Sequence, residues 1–152
     1  KPSSAASDVY KRQMYGPAGF LQYQCVLPPR EARAGIDALL AEIARSGQGS
    51  FLAVLKEFGD PPSPGMLSFP RPGTTLALDF PNTGERVLRL LDRLDRIVDE
   101  AGGTLYPAKD ARMSAASFQR AYPRWQAFSS YLDPRLSSGF WRRVTESPCN
   151  AS

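Results

Sequence analysis

Residues 74–106 have the sequence TTLALDFPNTGERVLRLLDRLDRIVDEAGGTLY, and this stretch decides the fold. Apolar and polar residues alternate over 74–80, which predicts a strand with Leu76, Leu78 and Phe80 on one face. Gly102-Gly103 then separates a predicted helix, residues 85–101, from a short predicted strand, residues 104–106. The apolar stripe that predicts this helix consists of Val87, Leu90, Leu91, Leu94, Ile97, Val98 and Ala101. A strand, a helix and a second strand therefore follow one another here.

The preceding part of the chain has the same arrangement. Residues 20–27 (FLQYQCVL) are rich in aromatic and β-forming residues and predict a first strand, and residues 30–46 have apolar residues at helical spacing. Residues 51–56 predict the next strand, and a proline-rich loop at 59–65 follows it. The order β-α-β-β-α-β predicts an α+β, ferredoxin-like fold, an antiparallel sheet with both helices on one face. The opposite face then needs a cover or a ligand.

The remaining segments lie outside this unit. Residues 107–135 are rich in aromatic residues and are predicted to form a short helical C-terminal segment that packs on the sheet or on an absent partner. Tyr122-Pro123 divides this segment into two short helices. Residues 136–152 are predicted to be a disordered or aberrant tail, apart from a short turn of helix at 137–143. Residues 1–13 show neither a helical nor a strand period and are predicted to be a non-native or disordered leader.

Composition excludes several classes of function. The 152 residues include no histidine, which excludes Ser-His-Asp and Cys-His catalysis within this chain. Cys25 and Cys149 are far apart in sequence, so a structural zinc site is not expected. The formal net charge of +4 comes from basic residues scattered among acidic ones, and nucleic-acid binding is not expected. No apolar run approaches the roughly 18 residues of a transmembrane helix, and no signal peptide is visible.

Polar groups that could carry chemistry are concentrated just after the last predicted strand, in YPAKDAR, residues 106–112. Lys109 could stabilise negative charge as it develops on a ligand. Tyr106 could donate a hydrogen bond or relay a proton. The structural alternatives are a surface lysine and a core tyrosine. Asp110 and Arg112 are expected to pair with each other or to cap the next helix.

The predicted strands carry further candidates. Lys56, near the end of the second strand, could reach an anionic ligand, and the alternative is a lysine whose stem lies along apolar surface. Gln22 and Gln24 share one strand face and could bind ligand hydroxyls or simply face solvent. Asp79 is expected to anchor the turn that follows it. Cys25 is expected to be a small buried hydrophobic residue rather than a nucleophile.

Spaced motifs along residues 14–135 carry a family resemblance. They are AGFLQYQ (18–24), FLAVLKEFG (51–59), LSFP (67–70), GTTLALDFP (73–81), GGTLYPAKDAR (102–112) and FQRAYP (118–123). In this order they resemble the C-terminal part of FAD-linked oxidases of the vanillyl-alcohol-oxidase superfamily. The most similar branch is the decaprenylphosphoryl-β-ribose 2-oxidase group, and the sugar-lactone oxidases, which act on arabinonolactone and gulonolactone, are more distant.

The resemblance implies a role for each matching position. It implies that Lys109 lies at the flavin ring and the substrate, and that Tyr106 borders the same pocket. It implies that Gln24 and Lys56 line the substrate site, with Gln22 nearby. The implied cofactor is FAD, held mainly by an N-terminal FAD-binding domain that this sequence does not contain. The implied substrate is a sugar or polyol, either free or lipid-linked.

The resemblance also divides the chain. Residues 14–106 are predicted to be the substrate-binding (cap) domain and 107–135 the segment that returns to the FAD-binding domain. The implied enzyme is an FAD-dependent oxidoreductase that takes hydride from a CH–OH group, and this fragment alone is expected to be inactive. Ala77 stands where the ribose-oxidase branch usually has a cysteine, which leaves the substrate open. The expected location is cytoplasmic, with peripheral attachment to the inner membrane as the alternative.

Two other classes of function compete with the oxidoreductase. One is a stand-alone ferredoxin-like module that binds or senses a small molecule without catalysis. The other is a nucleic-acid-binding sheet, which would need aromatic residues on its open strands, where Phe20 alone is weak support.

Overall fold

The computed structural model describes residues 16–109 and 112–145, and within them one sheet has four strands. The strands are β1 (Phe20–Leu27), β2 (Leu52–Phe58), β3 (Gly73–Pro81) and β4 (Thr104–Leu105). Their order is β2-β3-β1-β4, and all neighbouring pairs are antiparallel. The predicted ferredoxin-like α+β class is therefore confirmed. The predicted leader, residues 1–13, and residues 146–152 of the predicted tail lie outside the described residues.

Two long helices pack on one face of this sheet. Helix α1 (Ala32–Ser46) ends at Gly47, whose φ of 65° is in the left-handed region that terminates helices. Helix α2 (Glu85–Glu100) is followed by Gly102-Gly103. A side chain at Gly103 would lie 2.8 Å from the Val26 carbonyl oxygen, so only glycine lets the chain enter β4 beside β1.

The core lies between the helices and the inward faces of β1 and β3. The predicted apolar face of β3 is confirmed, since Leu76, Leu78 and Phe80 are buried, and β1 buries Tyr23, Cys25 and Leu27 beside it. The helices contribute a second buried set, which consists of Ile36, Leu39, Val87, Leu90, Leu91, Leu94 and Val98. Each fully buried side chain of this size contributes about 1.5–3 kcal/mol, so this layer dominates the stability of the fold.

Three short helices pack beside β4. They are α3 (Ala115–Ala121), α4 (Trp125–Ser129) and α5 (Gly139–Thr145), and the predicted break at Tyr122-Pro123 separates the first two. The buried Phe118 contacts Phe140 and Trp141 edge-on, with ring centroids 5.6 and 6.2 Å away. Val144 of α5 is also fully buried. The predicted turn of helix at 137–143 is therefore confirmed as part of α5, and the expectation of a disordered tail is wrong for 144–145, because α5 continues to Thr145 and buries Val144 in the core.

The described part of the chain contains no candidate for a membrane-spanning helix. None of the helices among residues 16–109 and 112–145 has both the length and the apolar character needed to cross a bilayer.

Candidate functional site

The face of the sheet opposite the helices is a small grid of side chains, because the three long strands are in register. Gln22, Asp79 and Leu52 form one row, and Gln24, Ala77 and Val54 form the next. The third row consists of Val26, Thr75 and Lys56. Ala77 stands at the centre of this grid and has the smallest side chain of it. The surrounding longer side chains therefore enclose a hollow above the middle of the sheet.

This hollow is a cavity of about 120 Å³. Its lining residues are Gln22, Gln24, Leu52, Val54, Lys56, Thr75, Ala77, Asp79 and Lys109. A smaller cavity of about 20 Å³ adjoins it along β1 and shares Gln22, Gln24 and Lys109 while adding Tyr106. The structure thus places every residue predicted for the site around two adjoining cavities. We call the larger one the sheet cavity.

The two glutamines are held by β3. Gln22 donates from Nε2 to Oδ1 of the directly opposite Asp79, at 3.0 Å. Gln24 donates from Nε2 to Oγ1 of Thr75, at 3.1 Å, and Thr75 in turn donates to the Cys25 carbonyl oxygen at 2.7 Å. These bonds between strands fix both amides, so the glutamines do not form a plain solvated face.

The prediction that Asp79 anchors the following turn is wrong. Its side chain lies on the sheet face and accepts the hydrogen bond from Gln22. The turn is instead held by Asn82, which bonds to the carbonyl oxygen of Ala18 and, through Oδ1, to the Gly84 N–H. Alternation along β3 places Asp79 on the same face as Thr75 and Ala77, and this signal could have added it to the predicted site.

The two lysines lie on different elements at the sheet cavity. Lys56 is exposed on the edge strand β2, and Lys109 is half-buried at the end of a short 3₁₀ turn, Pro107–Lys109. The Lys109 N–H donates to the Tyr106 carbonyl oxygen at 3.1 Å, which forms this turn. Within the described residues neither ammonium group has a carboxylate partner within 4 Å. Both charges are therefore available to an anionic ligand.

Tyr106 continues the pairing of β4 by one residue. Its N–H donates to the Gln24 carbonyl oxygen at 2.8 Å. Its ring stacks on the buried Phe69, with centroids 4.5 Å apart and an angle of 23° between the planes. The half-buried tyrosine is thus held by the loop that precedes β3, and it borders the smaller cavity.

Arg112 fastens the chain after Lys109 to helix α2. Its Nη1 lies 2.8 Å from Asp92 Oδ1 and 2.8 Å from Asp95 Oδ2. Burial acts to lower the pKa of Arg112, but the hydrogen bond and charge of Asp95, together with Asp92, raise it overall. Arg112 thus pairs with α2, and its expected pairing with Asp110 lies outside the described residues because Asp110 does. The next helix is capped by Ser114, which accepts from the Ser117 N–H.

Arg71 is the residue that sequence reasoning missed. It precedes β3 and bonds to four different groups: the carbonyl oxygens of Phe69, Ser68 and Ala121, and the Thr104 hydroxyl. Its guanidinium group also lies 5.3 Å from the centroid of the Tyr122 ring. Since the contacts with Thr104, Ala121 and Tyr122 come from segments far apart in sequence, nothing local in the sequence indicates them. Arg71 holds the Phe69 loop in the position from which it stacks on Tyr106.

Cys25 lies beneath the site and is chemically protected. Its side chain is fully buried on the helix side of β1, as predicted. Burial raises the pKa of the Cys25 thiol to about 12, so the reactive thiolate is essentially absent at neutral pH. Cys25 is therefore part of the core rather than a nucleophile at the sheet cavity.

No protein-family model matches the chain, but four curated proteins do, and two of them follow. Over 123 residues, 79% of the chain, it is 45% identical to a Mycolicibacterium smegmatis protein named decaprenylphosphoryl-β-D-ribose oxidase, of which the match covers 26%. It is 38% identical over 85 residues, 56% of the chain, to a Streptomyces coelicolor protein described as uncharacterised in the mprA 5′ region, of which the match covers 23%. The chain therefore spans about a quarter of the length of these relatives.

These matches confirm the family resemblance that the spaced motifs indicated. Among solved structures, a prephenate dehydratase from Streptococcus mutans is similar. The alignment covers 56% of this chain and 39% of the dehydratase chain. The sequence identity is 13% and the TM-score 0.36, so this similarity is too distant to support an argument.

Proposed function

Because the chain is homologous over most of its length to a decaprenylphosphoryl-β-D-ribose oxidase, we propose that it is the substrate-binding part of an FAD-dependent oxidoreductase. The reaction is the oxidation of a sugar or polyol hydroxyl. The homology supports an oxidoreductase, and the proposal that the oxidised group is a CH–OH group depends on the residues of the site. The single observation that carries it is the sheet cavity, where two lysines and two amides surround a hollow above Ala77.

The residues of the cavity suit a polyhydroxylated anion. Lys56 and Lys109 supply two positive charges that no described carboxylate neutralises, and these would bind a phosphate or carboxylate group. The amides of Gln22 and Gln24 combine hydrogen-bond donors and acceptors, which suits hydroxyl groups. Val54 and Leu52 provide an apolar wall against which a sugar ring can lie. Ala77, being small, leaves room for the ring.

Two residues fit the ring side of a flavin. Lys109 and Tyr106 lie together where the sheet cavity meets the smaller cavity, so both can face a planar group placed over this edge of the sheet. FAD, when bound, supplies an acceptor for the hydride of the oxidised carbon. The ammonium group of Lys109 would stabilise the negative charge that accompanies this transfer. The sequence has no Gly-rich dinucleotide-binding motif, so another part of the protein would hold the phosphates.

The size of the cavity favours a shared site over a stand-alone binding module. Small-molecule sites usually enclose roughly 300–1,000 Å³ and bury most of the ligand. The sheet cavity has about 120 Å³, less than a bound sugar occupies. A second wall would enclose the rest of the sugar and tighten its binding, and in the proposed enzyme the FAD-binding domain provides it.

A chimera tests the proposal. The 123 matching residues of the M. smegmatis relative are replaced by those of this chain, and flavin absorbance is followed after addition of decaprenylphosphoryl-β-D-ribose. We expect bleaching of the oxidised flavin band, and we expect Lys109→Met to slow it by at least about 100-fold, since a charge stabilising the transition state is removed. A matched control is Arg30→Met, which removes an exposed charge from a residue that lines neither cavity.

Three outcomes would contradict the proposal. A chimera that binds FAD but is not reduced would exclude the substrate-binding role. Unchanged reduction in Lys109→Met would remove Lys109 from the mechanism. Tight FAD binding and sugar oxidation by the 152-residue chain alone would show that no further domain is needed.

A further inference from the structure

We propose that Asp79 binds ligand hydroxyl groups and makes the sheet cavity selective for ligands that combine several hydroxyls with an anionic group. This inference rests on the proposed substrate-binding role of the cavity and adds a residue to it. It follows from the burial of the carboxylate, from the way its neighbours are hydrogen-bonded and from the charges around it.

Asp79 is only 4% exposed, yet its carboxylate makes few contacts. Among the described residues, the one hydrogen bond to it comes from Gln22 and reaches Oδ1. No lysine or arginine of the described segments forms an ion pair with it, and Oδ2 accepts no hydrogen bond from them. Oδ2 therefore keeps its capacity to accept hydrogen bonds. Because Asp79 lines the sheet cavity, a ligand in the cavity can donate hydrogen bonds to Oδ2.

The hydrogen-bond network also fixes which way the two glutamine amides are turned. A carboxylate only accepts, so Gln22 must direct its NH₂ group to Asp79. The Thr75 hydroxyl proton is used on the Cys25 carbonyl oxygen, so Thr75 must accept from the NH₂ group of Gln24. Among the residues that the structure describes, neither Oε1 atom accepts a hydrogen bond, so both are available at a cavity that both glutamines line.

The result is a set of three acceptors next to two cations. Asp79 Oδ2 and the two Oε1 atoms of Gln22 and Gln24 match the hydroxyl donors of a sugar or polyol. Lys56 and Lys109 match an anionic substituent on the same molecule. An anion without hydroxyls would use the cations alone and donate no hydrogen bond to Asp79 Oδ2. Selectivity for hydroxyls therefore depends on Asp79 more than on the lysines.

The test measures dissociation constants by NMR titration of the whole chain with ribose 5-phosphate and with ethyl phosphate, which has the charge without the hydroxyls. Wild type should bind ribose 5-phosphate at least about tenfold more tightly, as expected for hydrogen bonds to a charged group. Asp79→Asn keeps the size and the acceptor for Gln22 but replaces Oδ2 by a donor. It should remove this preference, whereas the affinity for ethyl phosphate should hold or rise, because a negative charge is removed from a cavity that two lysines line.

The control is Asp37→Asn, the same chemical change at an exposed carboxylate that pairs with Arg33 on α1. It should affect neither ligand. Equal wild-type affinities for the two ligands, or no binding of ribose 5-phosphate, would overturn the inference even if Asp79→Asn failed to fold. A retained preference in folded Asp79→Asn would do the same. Flavin reduction in the chimera is a separate readout: its failure with an intact Asp79 effect would reject the oxidoreductase and keep the hydroxyl site.

Discussion

Replacing Arg71 by methionine should both destabilise the fold and disturb the site. The substitution keeps an unbranched apolar stem but removes the guanidinium group that bonds to the loop before β3, to β4 and to α3. Burial lowers the pKa of Arg71, yet the group stays charged because arginine is so basic. The hydrogen bonds that the substitution removes are therefore charge-assisted at every pH of practical interest.

The magnitude follows from these hydrogen bonds. The four have lengths of 2.8–3.2 Å, and each contributes about 0.5–1.5 kcal/mol net. The position over the Tyr122 ring, at 5.3 Å, adds about 0.5–1 kcal/mol. Since Arg71 is only half-buried, values near the lower end apply, and we expect the free energy of unfolding to fall by about 3 kcal/mol. With a urea m-value of about 2 kcal/mol/M, the unfolding midpoint should fall by about 1.5 M.

The assay is equilibrium urea unfolding, with NMR shifts of the Phe69 and Tyr106 rings as a local readout. Both shifts should change, because the stacked pair depends on the loop that Arg71 holds. Arg71→Lys should recover little, since a lysine cannot reproduce the planar set of donors. The control Arg30→Met removes an exposed arginine and should change the midpoint by less than about 0.25 M. A destabilisation below about 1 kcal/mol, or full recovery by lysine, would refute this reasoning.

Two further predictions concern the backbone and the core. Gly73→Ala should destabilise the chain by about 3 kcal/mol in urea unfolding, because φ is 145° and the new Cβ would lie 2.1 Å from the Leu27 carbonyl oxygen. Gly49→Ala, where nothing lies within 4 Å, is its control, and equal effects would reject the steric argument. In a Cys149→Ser background, Cys25 should not react with a thiol reagent at pH 8 until urea unfolds the chain, because its pKa of about 12 keeps it protonated. Because the Cys25 pKa is higher in the folded chain, it stabilises the folded state below pH 9, and this contribution is lost as pH rises towards 12. Cys25→Ala should therefore reduce the loss of stability at alkaline pH. Fast labelling of the folded chain would contradict both statements.

Sequence periodicity is sufficient for the sheet because each element has one apolar face. The period-two pattern of β3 and the stripe of α2 both predict the side that is buried in the structure. The first helix begins at Ala32 rather than at residue 30, because Glu31 closes a turn onto the Pro28 carbonyl oxygen. Such boundary shifts depend on local hydrogen bonds that periodicity does not encode.

The site can be predicted only where chemistry and local position coincide. Lys109 and Tyr106 stand out because they follow a Gly-Gly break and a short strand. Asp79 and Arg71 do not, since their partners lie 57 residues away at Gln22 and 50 residues away at the Ala121 carbonyl. The packing of α5 is not predictable for the same reason, because its buried Val144 acquires a partner only when α3 is in place.

The polar grid on the sheet is consistent with the proposed role of this surface, a ligand-binding face that a further domain covers. A face meant only for packing would bury apolar side chains, as Val26 does, and would gain about 25 cal/mol per Å² of apolar area. Gln22, Gln24 and Asp79 instead bond to the sheet itself, which fixes their positions before anything binds. Because these side chains are already ordered, the entropic cost of ordering them on ligand binding is smaller. Substitutions that merely loosen the amides, such as Thr75→Val, should therefore weaken ribose 5-phosphate binding while leaving the buried layer beneath the sheet intact.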